Sequence, residues 1–196
     1  MRLYAVIQGI IGFCVFAIFT SILLDFLLFS KTQGVKREKK SIVETGTMTM
    51  FFLVFYFILV SKEGVIQVQN NNLKDSLIVV GTFIIVAGCI FNIMGRVSLG
   101  DNWANHIKIY EKHELIEKGM YKYIRHPLYS SIIFMFYGAS LVYSNTISFI
   151  AVTFIFIPFM YYRAKQEEKL LLETFPEYTK YKRRVGMFLP KLIWKD

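Results

Sequence analysis

Five apolar runs, each close to the length that crosses a bilayer, leave this chain few soluble folds to adopt. They extend from Leu3 to Phe29, Ile42 to Val60, Leu77 to Met94, Leu128 to Tyr143 and Ile147 to Tyr162. A bilayer core takes roughly 20 residues of helix. Inside it every backbone polar group must be satisfied within its own segment, which selects helices. The expected fold is an all-α integral membrane protein with about five transmembrane helices. Composition agrees, because 19% of the residues are charged, below the roughly 25% of a soluble domain. The first run lacks a small-residue cleavage site and is too long for a signal-peptide core, so it is expected to be a span. Cys14 and Cys89 both lie inside apolar runs. They are expected to be buried apolar side chains, with no disulfide framework, no cysteine zinc site and no metal.

The formal net charge is +9. In a soluble protein that would point to nucleic acid, but here the basic residues cluster beside the apolar runs and no nucleic-acid-binding motif is present. They read as topology signals and contacts to anionic membrane lipids. The first loop holds Lys31, Lys36, Arg37, Lys39 and Lys40 against Glu38, whereas the second sets Lys62 and Lys74 against Glu63 and Asp75. After Tyr162 there are nine Lys/Arg against five Asp/Glu. The orientation consistent with every loop puts the N-terminus outside, and Arg96–Arg125 and the C-terminus in the cytoplasm. The longest polar segment, Arg96–Arg125, and the charged tail would then share one compartment. Ser144-Asn145-Thr146 alone separates the last two runs, which predicts a tight helical hairpin. From Arg163 an amphipathic charged helix is expected to end near Pro176, followed by Tyr178, Tyr181, Phe188, Leu189 and Pro190, an aromatic stretch suited to the interface.

Three clusters carry candidate chemistry. In Leu115-Ile-Glu-Lys-Gly-Met-Tyr-Lys-Tyr-Ile-Arg-His-Pro-Leu-Tyr129, Pro127 suits the first turn of the fourth span. Arg125 and His126 then stand at a helix N-terminus, where backbone N–H groups and the helix dipole attract anions. The competing reading has Arg125 snorkelling to lipid phosphate and His126 capping the helix. Just past the fifth span, Arg163 and Glu167 share a helix face at i and i+4. They form either a functional pair or an ion pair ending the span. Arg96-Val-Ser-Leu-Gly-Asp-Asn-Trp103, taken alone, is a membrane-exit turn with a Trp anchor.

Taken in order, these clusters say more. Leu-Gly-x-Asn-Trp is followed by Leu-Ile-x-x-Gly-x-Tyr-x-x-x-Arg-His-Pro-x-Tyr, then Arg-x-x-x-Glu-Glu, then Phe-Pro-Glu-Tyr-x-x-Tyr and Phe-Leu-Pro. This series resembles the isoprenylcysteine carboxyl methyltransferase family, part of a wider membrane group that includes phospholipid methyltransferases. The resemblance covers roughly Arg96 to Pro190. It divides the chain into three N-terminal spans (1–95) and a methyltransferase core (96–196) of cytoplasmic cofactor-binding segment, helical hairpin and C-terminal helix.

The resemblance implies S-adenosyl-L-methionine as cofactor and a lipid-like or membrane-soluble acceptor, with a carboxylate as in isoprenylcysteine among the candidates. It implies cofactor contacts from His113, Glu114, Leu115, Ile116, Tyr121, His126, Pro127, Leu128, Tyr129 and Glu167. It makes Arg163 and Glu167 the catalytic pair, with Arg163 binding the methyl acceptor. His106 is the candidate for a further polar contact upstream. Methyl transfer is an in-line displacement, so alignment dominates catalysis. A carboxylate acceptor needs no base, whereas an amine, phenol or thiol would need one, with Glu167 or Glu168 nearest. The residues leave open whether O, N or S accepts. Two other classes compete: an NADPH-dependent membrane reductase of the sterol-reductase kind, and a non-catalytic membrane protein. The chain is short for the first. Its ionisable residues lie at span ends rather than mid-membrane, as a transporter would more often have them.

Overall fold

The computed structural model describes residues 2–29, 35–39, 42–100, 107–110 and 115–191. Helices dominate: α1 (Arg2–Phe29), α2 (Ile42–Ser61), α3 (Asn71–Leu99), α4 (Pro127–Val142), α5 (Thr146–Ala151), α6 (Ile157–Thr174) and α7 (Tyr178–Arg184). A π-helical turn, Val152–Phe156, joins α5 to α6. Two short strands, β1 (Val35–Lys39) and β2 (Ile107–Tyr110), pair antiparallel, a small ribbon added to the expected helical class. Three helical segments are long and apolar enough to cross a membrane, Tyr4–Leu24, Asn71–Leu99 and Thr146–Thr174. Thr49–Ser61 and Pro127–Val142 are shorter apolar helices. All five expected runs fall on helices. Large apolar side chains such as Phe13, Phe83 and Phe154 point outward and are more than 70% exposed. Such faces suit lipid rather than water.

Local chemistry sets the helix ends. Asn70 Oδ1 accepts from Leu73 N at 3.1 Å and starts α3. Gly100, with φ of 50°, closes it. Pro127 opens α4, where its fixed φ suits a first turn. Asn145 Oδ1 accepts from Ser148 N at 2.8 Å and starts α5. The fifth run does not stop at Tyr162. Its helix continues through Arg163 to Thr174, so the apolar span and the charged segment are one rigid rod.

On that rod Ser148, Val152, Phe156, Met160, Ala164 and Glu168 are buried at every fourth position. A helix turns once in about 3.6 residues, so a period-four stripe drifts around it. The wider π turn takes up part of that drift.

Packing centres on α3, which lies between α1 and α4. Ile7 and Cys14 of α1 meet Ile78, Ile85 and Cys89 of α3. Against α4, α3 presents Gly81, Gly88 and Gly95, spaced by two helical turns. A Cβ on Gly81 would fall 2.6 Å from Gly138 O, and one on Gly88 3.0 Å from Ser131 O. Glycine therefore lets the two backbones approach where no larger residue fits, the small-residue packing that stands in for a hydrophobic drive inside lipid. Phe51 and Phe55 of α2 close over Phe136 and Phe156, with Phe51 and Phe156 stacked at 4.3 Å.

The loops sort to two ends. At one, Ile66 N donates to Ser144 O and Thr146 N to Gly64 O, both at 2.9 Å. The second loop and the hairpin turn therefore lie together. At the other, Arg125 N donates to Gly186 O at 2.8 Å and Tyr181 Oη to Tyr121 O at 2.7 Å. The polar segment and the tail meet there, as the loop charges imply. Tyr178 and Tyr181, expected at the lipid interface, are instead buried with Val185 against Leu115, Leu171 and Phe175. Their rings pack the tail onto the polar segment.

Candidate functional site

The site lies where α4 begins, and three segments build it: the approach to Pro127, the middle of α6, and the tail after α7. Arg125 is its anchor, though not for a ligand. Its Nε donates to Glu168 Oε1 at 2.8 Å, and its Nη2 stands 2.7 Å from the same oxygen. Its Nη1 donates to the carbonyls of Lys182 and Val185. Lys182 Nζ meets Glu168 Oε2 at 2.8 Å. Arg125 thus neither snorkels to lipid nor offers its fork to an exogenous anion. It clamps α6 and the tail to the start of α4. Glu168, 1% exposed and held between two cations, is no candidate for a base. The sequence offered both readings of Arg125 because the partner lies 43 residues away.

His126 stands at the N-cap without a side-chain capping bond. Its Nδ1 is 3.5 Å from Glu167 Oε2 and its Nε2 3.5 Å from Glu168 Oε1. Burial disfavours the charged imidazole, but the two carboxylates outweigh it and hold the His126 pKa above its ordinary value. Each ring nitrogen of His126 thus faces one of the two neighbouring glutamates. Tyr129, one turn along, stacks parallel to it at 5.4 Å and donates its Oη to Glu167 Oε2 at 3.1 Å. The Arg163 guanidinium carbon lies 5.9 Å from the Tyr129 ring centre, within cation–π range. Arg163, Tyr129, Glu167 and His126 thus form one contiguous row. Glu167 keeps 38% of its side chain exposed, against 1% for Glu168. Of the two adjacent carboxylates, one faces out and one holds the scaffold.

The remaining candidates divide. Tyr121 lies on the turn Gly119–Lys122, close enough to Glu167 for that charge to act on its phenol. Leu115 packs against the tail tyrosines, and Ile116 beside it is half-buried. Pro127 is buried, and Leu128 turns its side chain onto Gly95 of α3, so these two shape the α3–α4 junction. His106, His113 and Glu114 lie outside the described residues.

Sequence reasoning missed Asn92 and read Arg96 only as the start of a membrane-exit turn. Asn92 is fully buried in α3, and its amide donates to Ser131 Oγ at 2.8 Å. Arg96 Nε donates to Asn92 Oδ1 at 2.9 Å. The available signal was Asn92 itself, a polar residue inside an apolar span.

Comparison with known proteins bears on what this site does. Residues 79–173 match the isoprenylcysteine carboxyl methyltransferase family. The chain is 30% identical over 115 residues to the protein-S-isoprenylcysteine O-methyltransferase of Saccharomyces cerevisiae, covering 54% of this chain and 48% of that one. It is 30% identical over 114 residues to a probable enzyme of the same name from Oryza sativa subsp. indica, covering 57% and 60%. Methanethiol S-methyltransferase 1 of Bradyrhizobium diazoefficiens is 38% identical over 72 residues, covering 36% and 24%. The chain spans about half the length of the first relatives it matches. The whole row from His126 to Glu167 lies within residues 79–173, the part of the chain that is similar to the isoprenylcysteine carboxyl methyltransferase family.

Proposed function

We propose that the chain is an S-adenosyl-L-methionine-dependent membrane methyltransferase for a lipid-like or otherwise membrane-soluble acceptor. The observation that carries this reading is the row Arg163–Tyr129–Glu167–His126, placed at the end of the apolar helices and inside the family match. The names of the relatives, O-methyltransferases and an S-methyltransferase, favour it over the reductase and non-catalytic readings.

The residues fit the cofactor. It carries a sulfonium, an ammonium, a carboxylate and an adenine, and needs anionic, cationic and aromatic surfaces together. Glu167 is the outward carboxylate, fixed by Tyr129 and His126. Tyr121 and Tyr129 offer aromatic faces. When bound, the cofactor supplies an electrophilic methyl group on its sulfonium sulfur. The chain's own task is alignment. Glu167 holds the cationic end, and His126 and Tyr129 keep Glu167 ionised and in place. Arg163, one turn before Glu167, orients an anionic acceptor through its planar fork. Leu115, Ile116, Pro127 and Leu128 shape the walls. An acceptor dissolved in lipid reaches this level without leaving the bilayer.

The proposed topology has five spans, the N-terminus outside, and the site and C-terminus in the cytoplasm. The sorting of loops to two ends supports it, as does the basic excess at the site end. The function is tested by incubating membranes that contain the protein with methyl-labelled S-adenosylmethionine and identifying labelled lipids by mass spectrometry. Label in an apolar acceptor, lost in Glu167→Gln, is expected. Label no different from membranes lacking the protein would reject the reading.

A further inference from the structure

We propose that Phe188 is a positioning residue of this site: the tail, laid across the start of α4, holds its ring against His126 and so aims Glu167 at the cationic part of the methyl donor. This rests on the methyl-donor reading above and adds a residue whose effect runs through the imidazole.

The tail is fixed by its own carbonyls. Those of Val185, Gly186, Met187 and Phe188, in unbroken order, are taken by the approach to α4 and its first turn. Arg125 Nη1 donates to Val185 O. Arg125 N donates to Gly186 O at 2.8 Å and His126 N to Met187 O at 3.1 Å. Ser130 Oγ donates to Phe188 O at 2.8 Å. The tail also folds tightly on itself here, since a Cβ on Gly186 would collide with Leu189 O. The side chain at 188 is therefore presented by an ordered backbone, and ordering that precedes binding is not charged against a ligand. Leu189 is 61% exposed, but Phe188 beside it is half-buried, so this part of the aromatic stretch turns away from the lipid interface.

Inward, Phe188 packs on the core cluster that includes Phe136 and Phe156, and its ring meets that of His126 edgewise, at 6.1 Å and 66°. On the same imidazole, Tyr129 lies parallel at 5.4 Å. The polar contacts of His126 are long. Nδ1 to Glu167 Oε2 and Nε2 to Glu168 Oε1 are both 3.5 Å, beyond the roughly 2.7–3.2 Å of a well-made N–H···O bond. Among the described residues Nε2 has no hydrogen-bond partner. Carboxylates at that distance attract the imidazole without fixing its tilt, and the two aromatic neighbours fix it. The tilt matters because Nδ1 and the Tyr129 hydroxyl address the same Glu167 oxygen, the hydroxyl at 3.1 Å. With the ring turned away, Glu167 would keep only the tyrosine. Glu167 is the outward carboxylate of the site, so its aim is what the tail controls.

Calorimetry with S-adenosylhomocysteine on the detergent-purified protein tests this through a double-mutant cycle. Phe188→Leu keeps apolar bulk and removes the ring edge. Its affinity should fall about 2- to 10-fold, the range of one aromatic pair. Phe188→Tyr keeps the edge and should recover most of that loss. In a His126→Gln background, Phe188→Leu should cost nothing further, because its effect runs through the imidazole. Parent affinity in Phe188→Leu, or an equal loss in both backgrounds, would overturn the assignment and leave the methyl-donor reading intact. If Phe188→Leu fails to fold, Phe188→Met carries the same two comparisons with the same outcomes. Failure of the parent to bind S-adenosylhomocysteine would overturn the methyl-donor reading itself, and this assignment with it.

Discussion

Arg125 Nη2 stands 2.7 Å from Glu168 Oε1, with the two side chains 6% and 1% exposed. This pair joins the approach to α4 to α6 and, through Lys182, to the tail. Removing one member of a buried pair leaves an uncompensated charge, at a cost of about 3–5 kcal/mol. Glu168→Gln is therefore expected to lower unfolding stability in detergent by roughly that amount. Replacing both partners by methionine should recover much of the loss. A change under about 1 kcal/mol in Glu168→Gln would mean that the clamp is not structural.

His126 gives stability a dependence on pH with a definite sign. Its pKa is raised above 6.5 in the folded protein. The stabilisation it contributes is fully present below 6.5, its ordinary value, and is lost as pH rises through the raised one. Melting temperatures of the parent and of His126→Gln should therefore converge between mildly acidic and alkaline pH. A constant gap across that range would show that the imidazole does not bridge the two glutamates as a cation.

Arg163 and Glu167 sit one turn apart with different proposed tasks. Arg163→Ala should abolish methyl transfer and leave S-adenosylhomocysteine affinity nearly unchanged. Glu167→Gln should weaken that affinity on the order of 10- to 100-fold. Arg163→Lys keeps the charge and removes the fork, so activity should drop sharply. Full turnover in both Arg163 variants would dismiss an acceptor-binding role.

The two ends of the helical body can be told apart by labelling. A cysteine at Lys62, beside the hairpin turn, should react with an impermeant thiol reagent added outside intact cells. One at Lys118, on the site end, should react only after permeabilisation. The opposite pattern would invert the proposed orientation.

Runs of apolar residues determined the helices by themselves, because lipid permits so few ways to satisfy a backbone. Loop charge likewise foretold that the polar segment and the tail meet, since it acts through simple counting. The row from His126 to Glu167 was legible as motif, and its spacing placed Arg163 and Glu167 on one face. Only the tertiary structure decided which charge does what. Glu167 and Glu168 are neighbours of identical chemistry. The rotation of α6 against Arg125 and Lys182 turns one inward and leaves the other exposed. Arg125 looked available until Glu168, 43 residues on, reached it. Asn92 and Arg96 gained meaning only when glycine contacts brought α3 against α4. Burial and charge partnership are set by which helix faces meet, and the residue-by-residue pattern of one segment contains neither.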